Sequence, residues 1–228
     1  MRLLALFDVD GTLFLTDDPL SGQALRETLA DHFRVSLPAE PLRLVDHRGQ
    51  TALAIAREVL HAAGIADDLI DRELSAWCDS FTEGYLDLLA GADTSRWQAA
   101  PGADAGLSRL ERGGVRLALL TGNPEPVARA RLERLGLAGF FAPGQGAFGC
   151  EAEERGELIA LARERADGST REHTVAVGDT RRDIQSAHES GIRSIAVRSG
   201  RAAEPLAEAD AVCDDLDAVA TTLLAWAG

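Results

Sequence analysis

Apolar and polar positions along the chain follow two rhythms. The run from Leu3 to Val9 is short, nearly all apolar and ends in charge, which predicts a strand buried on both faces. Beyond it the spacing changes. Leu25, Leu29 and Phe33 recur at helical intervals within Ser21 to Phe33, and Ala52, Ile55, Ala56 and Val59 stand at i, i+3, i+4 and i+7. Between these two helices "RLVDHRGQT" reads as a loop. Ile70, Leu74, Trp77, Phe81, Tyr85 and Leu88 then form one long helical stripe, its aromatic residues facing a packed interior. Residues 16–98 are expected to be all-helical and to end at the Pro-Gly break of "AAPGA".

Strands and helices alternate after that break. Val115 to Leu120 predicts a strand, and Pro124 to Leu135 a helix with Ala128, Leu132 and Leu135 inward. A short strand is expected near Phe140 to Phe148, then a helix marked by Leu158, Leu161 and Ala162. His173 to Val177 predicts a strand, Thr180 to Ser190 a helix closed by Gly191, Arg193 to Val197 a strand, and Leu216 to Trp226 a last helix. The alternation implies an α/β fold, with a parallel sheet covered by helices on both faces and the all-helical segment inserted after the first strand. The core is expected to span residues 1–15 and 99–228.

Composition narrows the partners. With 228 residues, 46% of them hydrophobic, the chain can fill one sizeable core and a smaller inserted one. A net charge of −14 disfavours nucleic acid and anionic membranes. All 23 basic residues are arginine, so any task usually given to lysine falls to arginine here. Cys78, Cys150 and Cys213 are far apart and odd in number. They make neither a metal spacing nor a disulfide framework and are expected to be idle thiols in a reducing compartment. No stretch approaches the ~18 consecutive apolar residues of a membrane span. The first strand begins at once, without a cleavable signal pattern, so a cytoplasmic location is expected. Nothing in the pattern points to an oligomeric state.

Candidate chemistry lies at three strand ends. The first is Asp8-Val9-Asp10-Gly11-Thr12, the second Thr121-Gly122-Asn123, the third Gly178-Asp179 with Asp183 one helical turn on. Each alone also reads as an ordinary turn or a helix cap with a first-turn acid. In a parallel sheet, however, sites form beyond the carboxyl ends of strands. If these strands are neighbours, up to four carboxylates and a hydroxyl converge, a cluster that calls for a hard, oxygen-bound cation such as Mg²⁺. One aspartate can then attack phosphorus while a second moves protons. The hydroxyl and backbone N–H groups of Thr121 and Gly122 can hold phosphoryl oxygens.

"FDVDGTL", "LLTGN" and "VGDTRRDIQSA" resemble motifs one, two and four of the haloacid dehalogenase-like superfamily. The resemblance covers nearly the whole chain, because the helical insertion falls where that family carries a small helical cap. It implies a Rossmann-like core with Asp8 as nucleophile and Asp10 as general acid and base. Thr121, Gly122 and Asn123 would form the phosphate-binding turn. Mg²⁺ would be held by Asp8, the backbone carbonyl of Asp10, Asp179 and Asp183. The family normally has a lysine between motifs two and four. This chain has none, and Arg155 in "EAEERGEL" is the expected substitute, although its flanks match poorly and a surface pairing with Glu151 or Glu154 is the alternative. Dehalogenation is disfavoured, since expelling halide needs no proton and that branch lacks the second aspartate, which is present here as Asp10. A phosphate ester of a small metabolite is expected, on the phosphoglycolate phosphatase-like branch. The alternatives are a phosphomutase of the β-phosphoglucomutase type and a phosphate-binding module without turnover. In the cap loop, His47, Arg48, Gln50 and Thr51 are candidates for substrate contact, with Thr51 equally a helix N-cap.

Overall fold

The computed structural model describes residues 2–198 and 206–228 and turns the first apolar run into strand β1, Leu4–Phe7. Its four side chains are all buried, because β1 is central. Leu4 and Leu6 pack on one face against α6 (Arg155–Arg165) and α7 (Arg181–Glu189). Ala5 and Phe7 pack on the other against α4 (Ala103–Arg112), α5 (Glu125–Arg134) and α8 (Leu216–Ala227). The period-two alternation of a strand thus serves both helical layers.

Among the described residues six parallel strands form one sheet in the order β3-β2-β1-β4-β5-β6. The other strands are β2 (Arg116–Thr121), β3 (Gly146–Phe148), β4 (Thr174–Gly178), β5 (Arg193–Val197) and β6 (Ala211–Cys213). The chain steps outward from β1 to β3, then returns to β4 and steps outward the other way. Such a reversal leaves a crevice at the strand carboxyl ends, between β1 and β4. Phe7 is level with Leu119 of β2 and Val177 of β4, so the three strands end side by side.

Helices α1 (Pro19–Phe33), α2 (Ala52–Ala62) and α3 (Asp67–Ala90) make up the insertion. They share their own apolar core, in which Trp77 stacks on Phe81 with ring centroids 5.2 Å apart and donates to Thr28 Oγ1 at 3.0 Å. Chain entry and exit are stitched together: Leu15 N–H donates to Gln98 O (2.9 Å), and Gln98 N–H to Thr16 Oγ1 (2.8 Å). Among the described residues no helix is long and apolar enough to cross a membrane.

Two elements were absent from the sequence reading. Helix α4 buries only Leu107 and Leu110 as large apolar side chains and carries Gly106 in its middle, too few apolar positions over ten residues to mark it in the sequence. Strand β6 has three residues, too few to show an alternation. The cysteine expectation also needs correction. Cys78 of α3 and Cys150, just beyond β3, form a disulfide with Cα atoms 6.0 Å apart, joining insertion to core. Residues 72 positions apart become neighbours only through tertiary packing, and spacing along the chain carries no trace of that. The inference of a reducing compartment loses its footing with it. Cys213 is, as expected, a buried free thiol.

Candidate active site

The turn after β1 explains why a glycine follows two aspartates. Gly11 has φ +88°, and a Cβ there would collide with the Asp179 carboxylate. The absent side chain lets the β1 and β4 ends close on one another. Thr12 is buried beside them, its hydroxyl 3.5 Å from Asp179 Oδ1. Asp8, Asp179 and Asp183 are all buried and offer oxygens within 4.8 Å of one another. Thr180 is the N-cap of α7, and Asp183 Oδ2 accepts from its N–H (2.9 Å) and hydroxyl (2.7 Å). Asp183 is therefore a capping-box residue through one oxygen. Its other oxygen, Oδ1, is buried in the acid cluster, where its neighbour is the Arg155 guanidinium.

Arg155, the first residue of α6, reaches into this cluster from below. It is buried; its Nη2 donates to Asp8 Oδ1 (3.0 Å) and to Leu120 O (3.1 Å) and lies 2.5 Å from Asp183 Oδ1. Burial opposes its charge, yet the Asp183 and Asp8 carboxylates outweigh that and hold its pKa above the ordinary value. The surface pairing with Glu151 or Glu154 is not what the structure has; Glu151 pairs with Arg165 instead. Burial pushes the Asp8 carboxyl well above the usual carboxylate range; Arg155 opposes this, while Asp183, Asp179 and Asp10 add to it. Among the described residues, Arg155 is the guanidinium paired with Asp8 and Asp183, one positive charge beside three carboxylates. A hard, oxygen-liganded dication fits the donor set and the shared approach of three buried carboxylates. Asp8, Asp179 and Asp183 are the residues that can hold it.

Asp10 stands outside that trio. Its side chain is 41% exposed and accepts from Arg131 Nη1 (2.8 and 3.0 Å) and from Asn123 Nδ2 (2.5 Å). Two acids two residues apart thus have different surroundings, one buried among carboxylates and one open to a cavity. Thr121 is buried and shapes its turn by accepting from Asn123 N–H (3.2 Å) and Nδ2 (3.0 Å). Gly122 and Asn123 line the cavity.

The cavity, about 580 Å³, lies between core and insertion and is lined from the core by Asp8, Asp10, Gly122, Arg131, Arg155 and Asp179. His47, Arg48 and Gln50 of the loop before α2 line it opposite. Arg182 of α7 holds that loop by donating to Asp46 O (2.9 Å) and Arg48 O (2.7 Å). Thr51 is placed differently: it is the N-cap of α2, accepts from Ala54 N–H (3.2 Å), donates to Glu153 O (2.8 Å) and stands outside the cavity lining. Arg131 and Asp18 line the cavity without having been singled out in the sequence, and Tyr85, packed in the insertion core as expected, bonds to both. The available signal was an arginine on the Ala128–Leu132 stripe of α5.

Over most of its length the chain is similar to known proteins. The family model described as haloacid dehalogenase-like hydrolase matches residues 3–191. A phosphoglycolate phosphatase of Rhodospirillum rubrum is 33% identical over 220 residues, covering 94% of this chain and 88% of that one. Another, from Caulobacter vibrioides, is 30% identical and covers 88% and 81%. Among solved structures, CbbY from Rhodobacter sphaeroides in complex with phosphate superposes with a TM-score of 0.70 at 24% identity, covering 95% of this chain and 96% of that one.

Proposed function

The chain belongs to the haloacid dehalogenase-like hydrolase family, and from that premise we propose that it is a Mg²⁺-dependent phosphatase which hydrolyses a small phosphorylated metabolite through an aspartyl-phosphate on Asp8. The observation that carries this reading is the division of the acids: Asp8 buried with Asp179, Asp183 and Arg155, and Asp10 held apart at the cavity. A dehalogenase has no use for the second acid; an alkoxide leaving group does.

In this mechanism an Asp8 oxygen attacks phosphorus and the ester P–O bond breaks. The departing oxygen takes the Asp10 proton. Water then attacks the phosphoryl group, Asp10 takes a proton from it, and the bond from phosphorus to Asp8 breaks to release orthophosphate. Arg155, 3.0 Å from Asp8, lies where it can balance charge on the transferring group. Thr121, Gly122 and Asn123 form the turn that receives phosphoryl oxygens. Bound Mg²⁺ would supply electrostatic stabilisation of phosphoryl charge and allow Asp8 to remain ionised. Residues 16–98 serve as the cap, with residues 1–15 and 99–228 as the catalytic core. The relatives named phosphoglycolate phosphatase favour a small phosphorylated acid as substrate. Arg48 and His47 at the cavity are the side chains best placed to meet it.

Phosphate release from a panel of phosphorylated metabolites, with Mg²⁺ and with chelator, tests the reading. Steady release that stops in chelator and returns with Mg²⁺ is the expected result. Turnover confined to sugar phosphates primed by a bisphosphate would make the protein a mutase. Binding without turnover would leave only a phosphate-binding module.

A further inference from the structure

Arg131 occupies a position on α5 where helical periodicity calls for an apolar side chain. It follows Ala128 by three residues and precedes Leu132, both fully buried, and only 2% of its own side chain is exposed. Withdrawing a guanidinium from water is costly, and an apolar residue in that stripe would join the core without the penalty. The surroundings give the charge a purpose. Nε donates to Tyr85 Oη (2.9 Å), Nη1 to both Asp10 oxygens and to Asn123 Oδ1 (3.1 Å), and Nη2 to Asp18 Oδ2 (2.8 Å) and Ser21 Oγ. The Tyr85 hydroxyl donates in turn to Asp18 Oδ2 (2.7 Å). All three guanidinium nitrogens are therefore engaged, and a lysine offers no such fork. Asp10 and Asn123 follow core strands, whereas Asp18, Ser21 and Tyr85 belong to the entry into the insertion and to α1 and α3.

We propose that Arg131 is the positioning residue for proton transfer at Asp10, aiming its carboxyl at the leaving-group side of the cavity and tying that aim to the seated insertion through Asp18 and Tyr85. The proposal rests on the phosphatase reading. Asp10 is partly exposed, and Asn123, its other side-chain partner, also donates to Thr121 and accepts from Arg131. Without the guanidinium the carboxyl is free to leave its place, and misplacement by about 1 Å can cost on the order of 10²-fold in rate. From the insertion side Asp18 and Tyr85 hold the guanidinium in place, and the Cys78–Cys150 disulfide keeps the insertion seated on the core.

Single-turnover phosphoryl transfer from two esters provides the test. An alkyl phosphate expels an alkoxide that needs a proton; p-nitrophenyl phosphate expels an anion that does not. Arg131→Met should slow transfer from the alkyl ester by about 10²-fold or more and from the nitrophenyl ester by less than about 10-fold. Phosphoenzyme should then accumulate from the nitrophenyl ester, because its hydrolysis also needs Asp10. Arg131→Lys should be intermediate. Tyr85→Phe, which keeps the packed ring, should lower only alkyl transfer, by roughly 3- to 10-fold if Tyr85 contributes part of the acid–base factor. Equal losses on both esters without accumulated phosphoenzyme would reduce Arg131 to a structural ion pair and overturn the proposal, as would wild-type rates. If Arg131→Met fails to fold, Arg131→Lys and Tyr85→Phe decide by the same criteria. A wild-type protein that transfers from neither ester would instead remove the phosphatase reading, and this proposal with it.

Discussion

Asp8 owes its character to what surrounds it. A carboxyl whose pKa is raised by burial stabilises the folded state only while it is protonated, and that contribution is lost as pH rises through the raised value. Once ionised, Asp8 therefore weighs against folding, and Arg155 offsets only part of that cost. Asp8→Asn should abolish phosphoenzyme formation and yet raise the melting temperature in chelator, by a few degrees if about 1–2 kcal/mol is relieved. Mg²⁺ should then stabilise the wild type more than the variant. Calorimetry with and without Mg²⁺ checks both statements; a variant less stable than wild type in chelator would contradict the charge imbalance drawn for the cluster. The convergence of Asp8 with Asp179 was legible as strand-end chemistry, since acids at the ends of buried strands have few structural reasons to be there. Arg131 was not, because a helical stripe identifies a buried face but not the acid waiting across it.

At the level of elements, the insertion meets the core through backbone. The first turn of α2 donates Ala52 N–H to Gly122 O (2.8 Å) and Leu53 N–H to Gly149 O (3.2 Å). Helix N-terminal donors left without partners inside their own helix are thus satisfied by the turn that should receive phosphate. A Cβ at Gly122 would collide with Gln50 O. Gly122→Ala should then displace the loop carrying His47 and Arg48, with a stability loss of roughly 1–3 kcal/mol and a KM raised more than kcat is lowered. Urea melts and steady-state kinetics would show it; an alanine variant with wild-type KM would mean that the loop does not position substrate.

Considered whole, the molecule has insertion and core cross-linked. Besides Cys78–Cys150, Arg57 of α2 grips Glu153 of the core with two hydrogen bonds, 2.6 and 2.8 Å long. Closing a loop of 72 residues restricts the unfolded chain, a stabilisation of roughly 4 kcal/mol on loop-entropy grounds. Denatured but unreduced protein should therefore expose a single titratable thiol, Cys213, and reductant should lower the melting temperature. Three titratable thiols before reduction would sink the cross-link.

The sequence by itself determined the strand-and-helix alternation, the helical insertion after the first strand, and the acids that end β1 and β4, because each of these is written in spacing within one element or at its end. Arg155 was legible only through the family resemblance, as the arginine standing for the family's lysine, and its pairing with Asp8 is a tertiary fact. Tertiary structure alone decided the order of strands that sets β1 between β2 and β4, the pairing of Cys78 with Cys150, and the use of Thr51 as a cap rather than a cavity residue. It also decided the fork of Arg131 between Asp10 and Asp18, each more than a hundred positions away. Periodicity records which side chains leave water; it holds no information about which distant partner they meet there, and that is settled by how the layers pack.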